Sequence, residues 1–397
     1  MSGASSTPVA VIGAGPAGLA AAHALRAAGV AVSVFERAPG LPARLPETLY
    51  PAARAELVRL GVAPPSSVPA AVRFVSADGS VTIRAEIEAS GQMAAIDRAA
   101  LDLALRESAV AKGAELRLGR AITAIEPAAG GGWSLIDVAD GREPAAVVID
   151  ATGKAAFSAG KLLAVTTEAQ PLDPRSSVFT HFERAEPFGV DAVTLIASAD
   201  GFFYLVPLHA HRLCVGRVCY GGSHPDEAGF LASIAACPPL GARVAGATRV
   251  LPMLPAKNAA SIVTPAAPGI FATGDALGFR DSFLWDGIFH ALSSGFRAGE
   301  LAADVVRGSI GEVEAAVAFA TVLRDIERQA VVATEAALAP FATALSPIML
   351  LDPHMPPALL TALLGLARPD AKADARDLRR RRRAGLRQTS LTGKETP

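Results

Sequence analysis

Residues that announce a chemistry are scarce in this chain. Its three cysteines, Cys214, Cys219 and Cys237, are too few for a disulfide framework, and their spacings match neither a zinc ribbon nor a CxxC redox motif. A reducing compartment is expected, with no metal site. No apolar run approaches the roughly 20 residues of a membrane-spanning helix, so no membrane span is expected. The formal net charge of −1 gives nucleic acid and anionic surfaces nothing global to attract them. Only small residues, Ser2 to Thr7, precede the first apolar run. They lack the basic and apolar segments of a secretory leader, so the expected location is cytoplasmic.

What the chain does have is bulk. Its 397 residues are 51% hydrophobic and 19% charged, enough for a large core and for roughly two or three domains. Residues 8–12 read as a buried strand, 16–28 as an Ala/Leu-rich helix ended by Gly29, and 31–35 as a second strand. After a Pro-rich stretch, a helix is expected over 51–60, then a hairpin over 71–76 and 80–87 around Asp78-Gly79. A helix over 97–112 leads to strands at 115–118, 121–126, 133–138 and 145–150. Alternating apolar runs from 175 to 255 predict an antiparallel sheet, followed by a strand at 269–274 and a helix from 288 to 306. Beyond 312 the pattern is helical, and the run Arg379 to Arg383 reads as a solvated tail.

The first strand, turn and helix carry Gly13, Gly15 and Gly18 in a GxGxxG pattern, with Glu36 closing the next strand. In that context the three glycines permit, in turn, a tight turn, a close approach of backbone to pyrophosphate, and close helix packing on the sheet. Pro16 and Ala17 open the helix whose positive end meets the phosphates. Glu36 is expected to accept from ribose hydroxyls, with Arg37 beside it. The fingerprint alone admits NAD or FAD, since both present the same adenosine diphosphate end. A second element separates them: Ile270 to Ala276 is a strand running into a turn with Asp275, followed by the loop Gly278 to Gly287 and a new helix. An NAD dehydrogenase does not need it.

Together the segments 9–37, 150–153 and 270–299 resemble the FAD-dependent monooxygenases, halogenases and geranylgeranyl reductases that share one fold, over most of the chain to about residue 305. The resemblance implies FAD as cofactor. It implies that Asp275 holds the ribityl and pyrophosphate region, and that Gly278, Gly287 and Ile288 place N–H groups and a helix start near the flavin pyrimidine edge. Arg98 and Ile122 are then expected against the dinucleotide.

Asp150-Ala151-Thr152-Gly153-Lys154 and Gly274 to Phe279 resemble the halogenase and reductase branch, as does Pro46-Glu47-Thr48-Leu49 with Pro46 in place of a glycine. Tryptophan halogenases use a lysine in the first half of the chain and a Trp-x-Trp-x-Ile-Pro signature. Here the first lysine is Lys112, which lies on a helix after the Arg98 motif and so in the wrong place, and in the matching stretch, Phe202-Phe203-Tyr204-Leu205-Val206-Pro207, both tryptophans are replaced. The same stretch resembles a strand of geranylgeranyl reductases. Trp285 stands where the family loop has glycine, and Gly287-Ile288-Phe289-His290-Ala291-Leu292 resembles a helix of flavoproteins that hydroxylate tryptophan side chains.

The resulting expectation is an oxidoreductase of α/β class: a Rossmann-type FAD-binding domain (1–70, 97–174, 256–306), an inserted antiparallel-sheet substrate domain (71–96, 175–255), a helical C-terminal extension (307–370) and a basic tail (371–397). The leading activity is hydroxylation of an electron-rich aromatic substrate, small or peptide-borne, through a flavin C4a-hydroperoxide. The electrons come from NAD(P)H, directly or through a separate flavin reductase. Glu47, His290, Asp286, Trp285 and Tyr204 are the catalytic candidates, ahead of His181, His209 and His211. Prenyl reduction, halogenation and a purely structural flavin site are the competing readings.

Overall fold

The computed structural model describes residues 9–41, 47–49, 51–63, 66–67, 71–75, 79, 82–86, 94–153, 175–198, 201–220, 223–258, 261–262, 266–279 and 287–323. The core of the first unit is a six-stranded sheet in the order Ala266–Ala267, Ile270–Ala272, Val148–Asp150, Val9–Ile12, Val32–Glu36, Glu115–Leu118. All its neighbours pair in parallel except the Ala266–Ala267 edge. Central parallel strands are covered on both faces, which is why Val9-Ala10-Val11-Ile12 is apolar throughout and wholly buried. Ile12 pairs with both Phe35 and Asp150, and Asp150 pairs with Ala272. The carboxyl ends of four strands are thereby level, and everything that follows them opens on one edge.

Pro16 starts the first helix, Pro16–Ala27, where a missing N–H costs nothing, and Gly29 ends it at φ +71. Helix Arg98–Ala111 is capped by Asp97, whose Oδ1 accepts from Ala99 N at 2.9 Å. The apolar run at 145–150 is not one strand, as its composition suggests. Arg142–Ala145 closes an antiparallel meander with Trp133–Asp137 and Ile122–Pro127, and Val148–Asp150 enters the parallel sheet three residues later. Periodicity cannot see a change of pairing partner inside an apolar run.

The second unit is built on an eight-stranded sheet. Arg175–Glu183, Arg212–Tyr220, Gly201–His209 and Ala192–Ser198 pair antiparallel in that order, and Leu254–Asn258 and Thr248–Arg249 both pair with Arg175–Glu183. The far edge is the hairpin Ala71–Val75 and Thr82–Glu86, joined to Ala192–Ser198 by a parallel pairing. Strand signals alone led to a sheet across 175–255, yet two helices, Glu227–Ala236 and Pro238–Val244, interrupt it. Asp226 caps the first by accepting from Gly229 N at 2.8 Å. Phe230, Ile234 and Leu240 then bury against Val178, Phe203, Leu205 and Val215 on one face of the sheet. The chain returns through Ile270–Ala272 to the long helix Gly287–Val306, and a helix over 312–323 buries Ala315, Phe319 and Leu323 in the first core. The rest of the expected C-terminal extension and the arginine tail lie outside the described residues. No described helix is long and apolar enough to cross a membrane.

His23 sits on the buried side of the first helix, 1% exposed. Burial, with the Lys112 ammonium adding to it and the Leu105 carbonyl opposing, pulls its pKa from 6.5 to about 4. The folded pKa is depressed, so its contribution is complete above the unfolded value and is lost as pH falls from 6.5 towards 4. Denaturant melts should therefore show the wild type losing about 2 kcal/mol more than His23→Leu between about pH 7.5 and about pH 5. An equal loss in both proteins would remove His23 as the cause.

Candidate dinucleotide and substrate site

The turn after Val9–Ile12 is built for close approach. Gly13 has φ +108, and a Cβ there would fall 2.3 Å from the Ala151 carbonyl oxygen. A Cβ on Gly18 would fall 2.0 Å from the Gly13 oxygen. Gly15 differs: its φ of −84 suits any residue, and a Cβ would meet nothing within 4 Å. That open space lies at the start of helix Pro16–Ala27, whose N-cap carries no side-chain hydrogen bond. Free helix N–H groups beside an open glycine form an anion cradle, the shape a pyrophosphate requires. Glu36 frames it, accepting from Ala14 N at 3.0 Å and Ala38 N at 2.9 Å. Each carboxylate oxygen thus keeps capacity for a ribose hydroxyl. Arg37 is exposed next to it.

A second wall rises from the neighbouring strand ends. The fully buried Asp150 carboxylate accepts from Thr152 N at 3.0 Å and Thr152 Oγ1 at 2.6 Å. Thr273 N donates to the Asp150 carbonyl at 2.8 Å. Gly274, at φ +57, lies against Ala17 and Ala291, and its N–H donates to Ser294 Oγ at 3.0 Å. Ser294 in turn donates to the His290 carbonyl at 2.6 Å. Asp275 follows at the half-buried middle of the turn Gly274–Ala276. A Cβ on Gly295 would fall 2.0 Å from Ala17 O, and one on Gly299 2.5 Å from Ala21 O. The long helix therefore runs alongside the first and in the same direction. Residues 287–294 precede the contact at Gly295, so its start projects about 12 Å past Ala17. A Cβ on Gly287 meets nothing within 4 Å, so this start too faces open space. Two helix starts offset along one edge match a long ligand with negative charge at both stations.

A match to the family described as FAD dependent oxidoreductase spans residues 50–305. The chain belongs to the FAD-dependent oxidoreductase family. A match to the NAD(P)-binding Rossmann-like domain covers residues 11–54, the glycine turn included. Among solved structures, the flavin-dependent halogenase CmlS is similar at 19% identity and TM-score 0.69, over 96% of this chain and 78% of that one. Halogenase PltM in complex with phloroglucinol and FAD is similar at 16% and 0.71, over 94% and 85%. Peptidyl tryptophan dihydroxylase QhpG is similar at 19% and 0.62, over 84% and 75%. These show a shared fold. No curated protein sequence matches the chain.

Within this FAD-dependent oxidoreductase the structure brings Gly13, Gly15, Pro16, Ala17, Gly18, Glu36, Asp275, Gly287 and Ile288 to one sheet edge. Ile288 is itself buried in the first core, which leaves only its main chain for a ligand. Ile122 buries its side chain with Ile12, Phe35 and Val148. Gly278 lies in a short strand opposite Ile262. Arg98 is braced by Asp102, 2.9 Å from its Nε and 3% exposed. Glu47 is placed by its backbone opposite Ile96, the residue before Asp97. His290 is buried in the first turns of the long helix. Trp285 and Asp286 lie outside the described residues. Lys112 Nζ donates to the Leu60 carbonyl at 3.3 Å, near the far end of the first helix where Arg26 bonds the Lys112 carbonyl. Among the described residues no cluster could hold a metal.

Sequence reasoning missed Gly295, Gly299 and Ser294. A GxxxG spacing on an Ala-rich helix was the available signal, legible only once a partner helix with small residues at the same spacing is known. These geometries separate two glycines. Gly15→Val should leave the melting temperature of the FAD-free chain unchanged while weakening FAD binding at least roughly tenfold, or about 1.4 kcal/mol. Gly18→Val should destabilise the FAD-free chain by about 3 kcal/mol or more, because backbone cannot yield as a side chain does. Flavin fluorescence titration and thermal melts read both.

Proposed function

We propose that this FAD-dependent oxidoreductase is a monooxygenase that hydroxylates an electron-rich aromatic ring, free or peptide-borne. The carrying observation is the second sheet. Helices Glu227–Ala236 and Pro238–Val244 cover one face, with Phe203 and Leu205 beneath them. Strand alternation turns Phe202, Tyr204 and Val206 to the other. Gly201–His209 also meets Ala94–Ile96, which, though expected in the substrate domain, pairs with Glu47–Leu49 and buries Ile96 in the first core. Phe179 lies on that face beside Tyr204, with Gly216 between them. A planar, apolar floor closed by the FAD-binding unit suits an aromatic ring. Two proteins of the same fold lend support: one is named a peptidyl tryptophan dihydroxylase, the other holds phloroglucinol with FAD. Lys112, at the far end of the first helix, speaks against hypohalous acid handling.

Reduced FAD, when bound, supplies the electrons that activate oxygen. Gly13, Gly15, Pro16, Ala17, Gly18, Glu36, Arg37, Arg98 and Asp275 would hold its dinucleotide and ribityl parts, with Ile122 packed behind them. Gly278 and the helix start at Gly287-Ile288 would set a positive end against the charge of the reduced ring. Glu47, Trp285, Asp286 and His290 are assigned to orient the substrate and move its proton, and the sheet face excludes water. NAD(P)H is the proposed electron source, directly or through a flavin reductase.

The test supplies the FAD-loaded protein with oxygen, NADPH, a flavin reductase and phenolic or indolic compounds. Mass spectrometry should find a product one oxygen atom heavier, absent without oxygen. A halogenated product on adding chloride or bromide, or oxygen-independent gain of two hydrogens by a prenyl compound, would overturn the reading.

A further inference from the structure

Phe179, His181, Phe202, Tyr204, Ser177 and Cys214 share the sheet face turned to the first unit. Tyr204 does not stand up from it. A Cβ on Gly216 would fall 2.0 Å from Tyr204 Cζ, so the ring lies across the glycine, and its hydroxyl reaches Ser177 Oγ at 3.2 Å, sharing a hydrogen bond. His181 lies two residues from Phe179, ring centroids 5.9 Å apart, and opposite Cys214. It is 6% exposed, and neither ring nitrogen has a hydrogen-bond partner among the described residues. A buried imidazole left unpaired costs about 1–3 kcal/mol, a cost that a ligand removes when it binds.

The charged side chains described on this strip, Glu183 and Arg212, are paired with each other. Arg212, the diagonal neighbour of His181, is ion-paired with Glu183 at 3.5 Å. Cys214 is fully buried, and its thiol is pushed well above the usual range by that burial. Burial, with Arg212 adding and Asp97 opposing, also holds His181 at about 4, hence neutral at physiological pH. A neutral imidazole offers one donor and one acceptor. Gly201–His209, the next strand but one from that of His181, meets Ala94–Ile96, whose Ile96 pairs with Glu47.

We infer that His181 is a substrate-facing residue: its ring nitrogen holds the hydroxyl or ring N–H of a neutral aromatic substrate, with the Ser177–Tyr204 pair closing the same strip. The inference rests on the aromatic-substrate reading above and narrows it to phenols and indoles without a carboxylate near the ring. It makes His181 a specificity determinant, ahead of the histidines at 209 and 211, which are exposed at the strand turn.

The experiment uses the full chain loaded with FAD and histidine labelled at the ring nitrogens. His181 is identified by the signal lost in His181→Gln. Phenol, indole, toluene and benzoate are titrated in, with flavin absorbance reporting occupancy. Phenol and indole should move a His181 ring-nitrogen signal saturably. His181→Phe should weaken both by roughly three- to tenfold and leave toluene within about twofold, as loss of a neutral hydrogen bond requires. His181→Gln, which keeps a donor and an acceptor, should retain most of the phenol affinity, and benzoate should bind at least roughly tenfold more weakly than phenol. If phenol and indole perturb the flavin while the His181 signal stays still, or if His181→Phe weakens toluene equally, the aromatic reading stands and the role of His181 is overturned. If no probe perturbs the flavin, the aromatic reading fails and His181 falls with it. Should His181→Phe not fold, the wild-type spectra and His181→Gln decide alone.

Discussion

The contact between the two helices at the dinucleotide edge governs the geometry of everything around it. Gly295 and Gly299 of the long helix lie so close to Ala17, Ala21 and Ala24 that backbone meets backbone. Only small residues at that spacing allow the approach. The approach holds the two helix starts in one direction at a fixed offset. Gly274, wedged against Ala17 and Ala291 and bonded to Ser294, ties the Asp275 turn to the same pair. The span between pyrophosphate and flavin stations is therefore set by helix rise rather than by loops, and interiors packed this tightly transmit small shifts undiminished.

Charge is distributed around that frame with a clear division. At the outer side of the parallel sheet, Arg117 bonds Glu115 at 2.9 Å and also pairs with Glu143, while Arg120 pairs with the buried Asp137. These pairs join edge strand Glu115–Leu118 to the meander, and the bonds from Arg117 and Ser33 hold the Glu115 carboxyl below the usual range. The described side chains on the face of the second sheet turned to the FAD-binding unit are by contrast mostly aromatic or uncharged, with Arg212 and Glu183 paired to each other. A ligand there meets hydrogen-bonding groups without a strong field. Selectivity must then come from shape and from a few placed donors and acceptors.

The helices and strands next to the glycine turn were legible because their signals are local: a buried apolar strand, Pro at a helix start, Gly at a helix end. Less legible were features decided by distant partners. The apolar run at 145–150 divides because Ala145 pairs with Trp133 while Val148 pairs with Ala10. Helices Glu227–Ala236 and Pro238–Val244 carry apolar residues dense enough to pass for strands. By sequence Lys112 falls on a helix after the Arg98 motif. That its ammonium caps Leu60 at the far end of the first helix took the structure to show.

By itself the sequence determined a strand, glycine turn and helix from Val9 to Ala27 with Glu36 closing the next strand, and a second strand and turn at Ile270 to Ala276 followed by a helix. Such motifs work through backbone conformation within a few residues, so spacing alone carries them. The tertiary structure decided which side chains share the face of the second sheet that the helices leave uncovered. Whether Tyr204 lies flat over Gly216 towards Ser177, and whether His181 is buried without a partner, depends on register across strands far apart in the chain. A shift of one residue in that register would turn every one of those side chains to the other face.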